Sequence, residues 1–129
     1  HVMAAMINKF VSARRQNQPS VTLWGNGSAR REFLYSDDAA DAAIVCMQRY
    51  EHSDPINIAS GEEVTIKSLA ETIRDQTGYQ GEIVWDTSKP TGTLIKTLDI
   101  KKIKALGWQP NYSLIQGIPL AIQEFENCQ

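Results

Sequence analysis

Long apolar runs are missing from this 129-residue sequence. No stretch approaches the ~18 consecutive apolar residues of a membrane helix, and no signal-peptide pattern is visible. Cysteine is scarce. Cys46 and Cys128 are the two present, and neither stands in a CxxC pair, so a structural zinc site is not expected. Cys46 lies in an apolar run and reads as a buried thiol, and a reducing, cytoplasmic setting is the expectation. Positive charge is not in excess either. A formal net charge of -2 argues against a general nucleic-acid or membrane-surface protein. A Gly-x-Gly-x-x-Gly turn after a strand and a P-loop are both absent. "GNGSARR", residues 25–31, has half the glycine spacing of a dinucleotide loop, but a strand pattern follows it rather than a helix.

What remains is an ordinary globular composition, 42% hydrophobic and 22% charged, at a length suited to one domain. The chain begins at His1 and enters a helical pattern at once, which leads us to expect a fragment or a processed chain. Val2, Met3, Met6, Ile7, Phe10 and Val11 recur at helical spacing and predict a helix over 2–15. "VTLWG" (21–25) and "REFLYS" (31–36) read as strands, the second with Phe33 and Tyr35 on one face and Leu34 on the other. Asp37 and Asp38 then read as the N-cap of an alanine-rich helix ending near Tyr50.

"PINIAS" (55–60) predicts a strand, and Val64 leads into a helix over 66–77 with Thr65 as N-cap and Gly78 as stop. "EIVWD" (82–86) predicts a strand and "TSKPTGT" (87–93) a loop. Asp99 reads as the cap of a short helix ending at Gly107. Ser113 reads as the cap of the last helix, in which Pro119 marks either a start or a kink. The expected class is α+β, a small mixed sheet with four or five helices in a single domain spanning 1–129.

Candidate chemistry gathers around the glycine turn. A guanidinium offers phosphate a planar, permanently charged fork, so Arg31 is a candidate anion ligand with Trp24 to pack a sugar or base. The opposing reading makes Trp24 core and Arg30 and Arg31 a solvated edge. Lys9 and Lys96 read, taken singly, as surface lysines. Spacing alone yields no triad, nucleophile elbow or metal cluster.

The order "HVMAAMINKF", "VTLWGNGSARREFLYSDDAADA", "NIASGEEVTIKSLAETI", "GEIVWDTSKPTGT" and "LGWQP" resembles the GDP-L-fucose synthase branch of the extended short-chain dehydrogenases/reductases, within the NAD-dependent epimerase/dehydratase group. The resemblance covers nearly all of this chain and only the C-terminal part of that branch's length. It implies the substrate-binding lobe without the N-terminal NADP-binding Rossmann domain. Enzymes of the branch epimerise GDP-4-keto-6-deoxy-mannose at C3 and C5 and reduce its C4 ketone with NADPH.

By resemblance His1 is the acid of the epimerisation and lies near the cofactor. Lys9, Trp24, Arg31, Thr91 and Lys96 match substrate-binding positions, with Arg31 on the diphosphate. The branch pattern near "SKPDGTPRK" is here "SKPTGTLIK", so Thr91 replaces an aspartate and Leu94 and Ile95 replace proline and arginine. Ala4 stands where proline is usual. No Tyr-x-x-x-Lys pair occurs in these residues. NADPH is therefore expected for the full-length family and not for this chain alone, and the chain is not expected to be a reductase by itself. A GDP-sugar is the expected ligand. A Rossmann-domain chain, or a second copy through a former interface, is the expected partner. A free-standing binding module and the lobe of another nucleotide-sugar epimerase are the alternatives.

Overall fold

The computed structural model describes residues 2–128; His1 and its expected role lie outside the described residues. The elements are α1 (Val2–Arg15), β1 (Ser20–Trp24), β2 (Arg30–Glu32), α2 (Ser36–Arg49), β3 (Glu63–Thr65), α3 (Ile66–Thr77), β4 (Glu82–Asp86), β5 (Ile95–Lys96), α4 (Lys101–Ala105) and α5 (Leu114–Asn127). Among the described residues there are five helices and two small sheets, not one. β1 and β4 pair in parallel, from Ser20↔Glu82 to Trp24↔Asp86. β2 is the middle strand of the second sheet, antiparallel to β3 and parallel to β5.

The larger core lies where α1, α3 and α5 meet β1. Phe10, Val11, Leu69, Ile73 and Ile118 are almost fully enclosed there. Burying side chains of this size stabilises by roughly 2–3 kcal/mol each before entropy is counted. A second, smaller cluster joins Ala42, Ala59, Ile100, Ile103 and Trp108. The short segment between β2 and α2 bridges the two: Phe33 packs on the first cluster and Leu34 on the second.

Local signals explain most boundaries. Thr65 Oγ1 accepts from the Ser68 N–H at 3.0 Å, and Gly78 closes α3 at φ +71°. Ser113 and Gln116 form a reciprocal capping box at the start of α5. Pro119 sits inside α5 and cannot donate to the carbonyl of Ile115. Gln76 of α3 fills that gap, its Nε2 donating to the Ile115 carbonyl at 3.3 Å.

Four expectations need correction. The strand expected over 31–36 stops at Glu32, because only Arg30, Arg31 and Glu32 have ladder partners. Residues 55–60 form no strand: Ile56 and Ile58 half-bury their side chains against the second cluster, but among the described residues no strand pairs with this segment. The pairing segment lies further on, at β3, where Val64 and Thr65 had read as the helix lead-in. Asp37 and Asp38 are not caps. Tyr35 holds the N-cap position of α2 without a side-chain bond, and both aspartates lie within the first turn.

Asp38 is almost fully buried, and its carboxylate accepts from the Asn111 N–H, the Asn111 Nδ2 and the Tyr112 N–H at 2.9–3.0 Å. It ties the α4–α5 connection to α2. Cys46 is half-buried rather than buried, and both Cys46 and Cys128 are free thiols. At α4 the Asp99 carboxylate accepts from the Lys101 N–H at 2.9 Å, which holds its pKa below the ordinary aspartate value, with Lys101 charge adding to the effect.

Candidate functional site

The glycine turn decides where the arginines stand. Gly25 and Gly27 both adopt positive φ, +79° and +74°. A Cβ on Gly27 would lie 2.8 Å from Trp85, and one on Gly25 would lie 3.0 Å from the Thr91 Cα. Only glycine therefore lets the turn lie flat between β4, α3 and the 87–93 loop. Its carbonyls are spent on α3: the Ile66 N–H donates to Ala29 at 2.8 Å and the Lys67 N–H to Gly27 at 2.9 Å. The turn's carbonyls thus cap α3, its Gly25 N–H donates to the Asp86 carbonyl at 2.9 Å, and a strand rather than a helix follows it, so it lacks the strand–turn–helix form of a dinucleotide loop. No other stretch of these residues carries a dinucleotide loop.

Leaving the turn, β2 sends its two arginines to different tasks, because successive strand residues face opposite ways. Arg30 pairs with Glu63 on β3. Arg31 lies opposite Lys96 of β5 in the parallel register. Among the described residues neither Arg31 nor Lys96 has a carboxylate partner; Arg31 Nη1 donates only to the Arg30 carbonyl at 2.7 Å. Like charges placed side by side on neighbouring strands repel unless an anion lies between them.

Both residues line one cleft of about 460 Å³, with Val2, Phe33, Ile58 and Ser60 among its other walls. That volume falls in the ~300–1,000 Å³ range of small-molecule sites. Gly92 lies beside this pair, since a Cβ there would stand 3.7 Å from Arg31 Nη2. The 87–93 loop thus passes close to both Gly25, at Thr91, and Arg31, at Gly92.

The other expected residues divide. Trp24 is 67% exposed, which excludes its reading as core, and Lys89 Nζ stands 5.9 Å from its ring centroid. Trp24 ends β1 next to Gly25 and does not line the cleft. Lys9 does not line the cleft: its Nζ donates to the Thr22 carbonyl at 2.7 Å and staples α1 to β1. Lys96 is exposed on β5, a strand the sequence pattern did not show.

Glu32 is the cleft residue that sequence reasoning missed. Its carboxylate accepts from the Leu98 N–H at 2.8 Å, and its only signal was its place beside Arg31. A second, smaller cleft of about 200 Å³ opens between Tyr35, Tyr112 and α5. Among the described residues no cluster of His, Cys, Asp or Glu could hold a metal ion, and no helix is long and apolar enough to cross a membrane.

With that geometry in view, the comparisons with known proteins are informative. The model of the NAD dependent epimerase/dehydratase family matches residues 1–59. A probable GDP-L-fucose synthase of Oryza sativa subsp. japonica is 47% identical over 118 residues, which are 92% of this chain and 36% of that protein. The GDP-L-fucose synthase of Escherichia coli K12 is 40% identical, over 97% of this chain and 42% of its own length. A crystal structure of a GDP-L-fucose synthetase from Naegleria fowleri, bound to NADP, superposes with a TM-score of 0.90 at 32% identity, over 98% of this chain and 40% of that one. The chain is a GDP-L-fucose synthase-like homologue of the NAD-dependent epimerases and dehydratases, spanning 36–42% of the length of these relatives.

Proposed function

We propose that this chain is the C-terminal, substrate-binding part of a GDP-L-fucose synthase-like epimerase/reductase and that it holds the diphosphate of a GDP-sugar. One observation carries the reading: Arg31 and Lys96 stand side by side at a cleft and, among the described residues, neither is ion-paired to a carboxylate, the Glu32 carboxylate there being bonded to the Leu98 N–H, while the neighbouring Arg30 is paired. A diphosphate supplies the missing negative charge, and the Arg31 fork bonds two of its oxygens at once. Trp24 and the 87–93 loop lie at the same end of β1 and suit packing against the sugar or base. Thr91, where the branch has an aspartate, offers a hydroxyl that both donates and accepts in place of a carboxylate that only accepts.

These residues carry neither a Gly-x-Gly-x-x-Gly loop nor a Tyr-x-x-x-Lys pair, so no reductive step is assigned to them. The epimerisation acid would be His1, a role resting on its match to the family's "HV" segment. The partner we propose is the cofactor-binding Rossmann half, which relatives of more than twice this length leave room for.

Calorimetric titration with GDP, UDP and GDP-mannose tests the ligand. GDP-selective binding that weakens with salt is expected, and Arg31→Ala should lose about 10- to 100-fold, the worth of a charge-assisted bond. A preference for UDP would point instead to the lobe of another nucleotide-sugar epimerase. No binding of any of the three would remove the diphosphate reading.

A second reading rests on α2. Ala40, Ala43, Ile44 and Met47 are all exposed at helical spacing on one face. That bare stripe is what an interaction module would present.

A further inference from the structure

We propose that Glu32 is a positioning residue, whose carboxylate holds the chain beyond β5 so that Lys96 stays beside Arg31; this rests on the diphosphate reading. β5 is two residues long and meets β2 only at Arg30↔Ile95 and Arg31↔Lys96. Packing does little to hold it. Leu94 is 64% exposed, Ile95 57% and Leu98 48%, and the first buried side chain after the loop is Ile100. The segment is therefore kept in place by hydrogen bonds.

On the near side of the ladder the Arg30 N–H donates to the Leu94 carbonyl at 2.7 Å. On the far side the ladder has ended, and the Glu32 carboxylate takes over by accepting the Leu98 N–H at 2.8 Å. Lys96 lies between these two anchors. A long, exposed lysine carries much rotamer freedom, so its strand position decides whether its charge falls at the cleft.

A carboxylate at an anion-binding cleft would ordinarily weaken it. Here the charge is partly spent on a backbone N–H, and the net effect of the residue is to keep a cation in place. Glutamine preserves the acceptor and removes the charge, whereas alanine removes both, so the two substitutions separate positioning from repulsion.

The test is calorimetry with GDP on the wild type, Glu32→Ala, Glu32→Gln, Lys96→Ala and the Glu32→Ala/Lys96→Ala double variant. It is joined by amide hydrogen exchange and side-chain NOEs on the unliganded proteins. Glu32→Ala is expected to weaken GDP binding by about two- to tenfold, the range for one hydrogen bond. Adding Lys96→Ala to it should cost nothing more, and Glu32→Gln should restore binding. In Glu32→Ala the Leu98 amide should exchange faster and the Arg31–Lys96 NOEs vanish, while the Phe10 and Ile73 amides keep their protection.

Tighter GDP binding by Glu32→Ala, or an undiminished Lys96→Ala effect in that background, would overturn the proposal. If the wild type does not bind GDP, the diphosphate reading fails by itself. The exchange and NOE arms then still decide whether Glu32 places Lys96, and Arg31–Lys96 NOEs that persist in Glu32→Ala would refute it.

Discussion

Arg30 and Arg31 are identical in chemistry and adjacent in sequence, yet their surroundings differ. Strand alternation turns one toward Glu63 and the other toward Lys96. Asp38 shows the converse, a residue whose local signal misleads. An aspartate before an alanine-rich helix suits a cap, but burial and three donors make it a clamp on the 111–112 backbone. Asp38→Ala takes the acceptor from the part-buried Asn111 and Tyr112 N–H groups and is expected to cost about 1–3 kcal/mol. Urea denaturation reads this, and a loss under 1 kcal/mol would mean water replaces the carboxylate.

At Tyr35, partial burial and then the charges of Glu124 and Asp37 raise the phenol pKa above the ordinary 10.0. The fold therefore keeps this proton longer than the unfolded chain does. Stability is unaffected below pH 10 and falls as pH rises from there through the folded value. An alkaline absorbance titration should show a late tyrosine that disappears in Tyr35→Phe and titrates earlier in Glu124→Gln.

Helices carry their instructions locally, and so they were legible. Apolar spacing, Thr65, Gly78 and Ser113 sufficed for α1, α3 and α5. Strands of two or three residues carry too little pattern, since a strand is defined by its neighbour. Thus "PINIAS" alternates without pairing, while Ile95–Lys96 pairs without alternating. Pro119 tests how elements compensate one another. Gln76→Met removes the donor to the Ile115 carbonyl and should cost about 1 kcal/mol in the wild type. In a Pro119→Ala background the helix supplies its own N–H, and the cost should fall by at least about 0.5 kcal/mol. Equal costs in both backgrounds, measured by thermal or urea unfolding, would show that the two sites are uncoupled.

On the scale of the molecule, the proposed companion half and two unsatisfied features agree. α2 leaves Ala40, Ala43, Ile44 and Met47 bare, and the 55–60 segment, which has no strand partner among the described residues, lies near it through the second core. An exposed apolar helix face is what a companion domain would cover. Without that cover, self-association is expected. Sedimentation should show concentration-dependent dimers that Ile44→Asp with Met47→Lys disperses; a monomer at all concentrations would count against α2 as an interface.

The sequence alone determined the helices, the caps at Thr65 and Ser113, the glycine turn and the kinship, because these rest on local spacing and on ordered motifs. Only the tertiary structure decided that there are two small sheets, that Arg30 is neutralised while Arg31 is not, and that Lys96 and Glu32 join Arg31 at one cleft. Those relations join residues about 30 to 70 positions apart through register and burial, which only the folded chain defines.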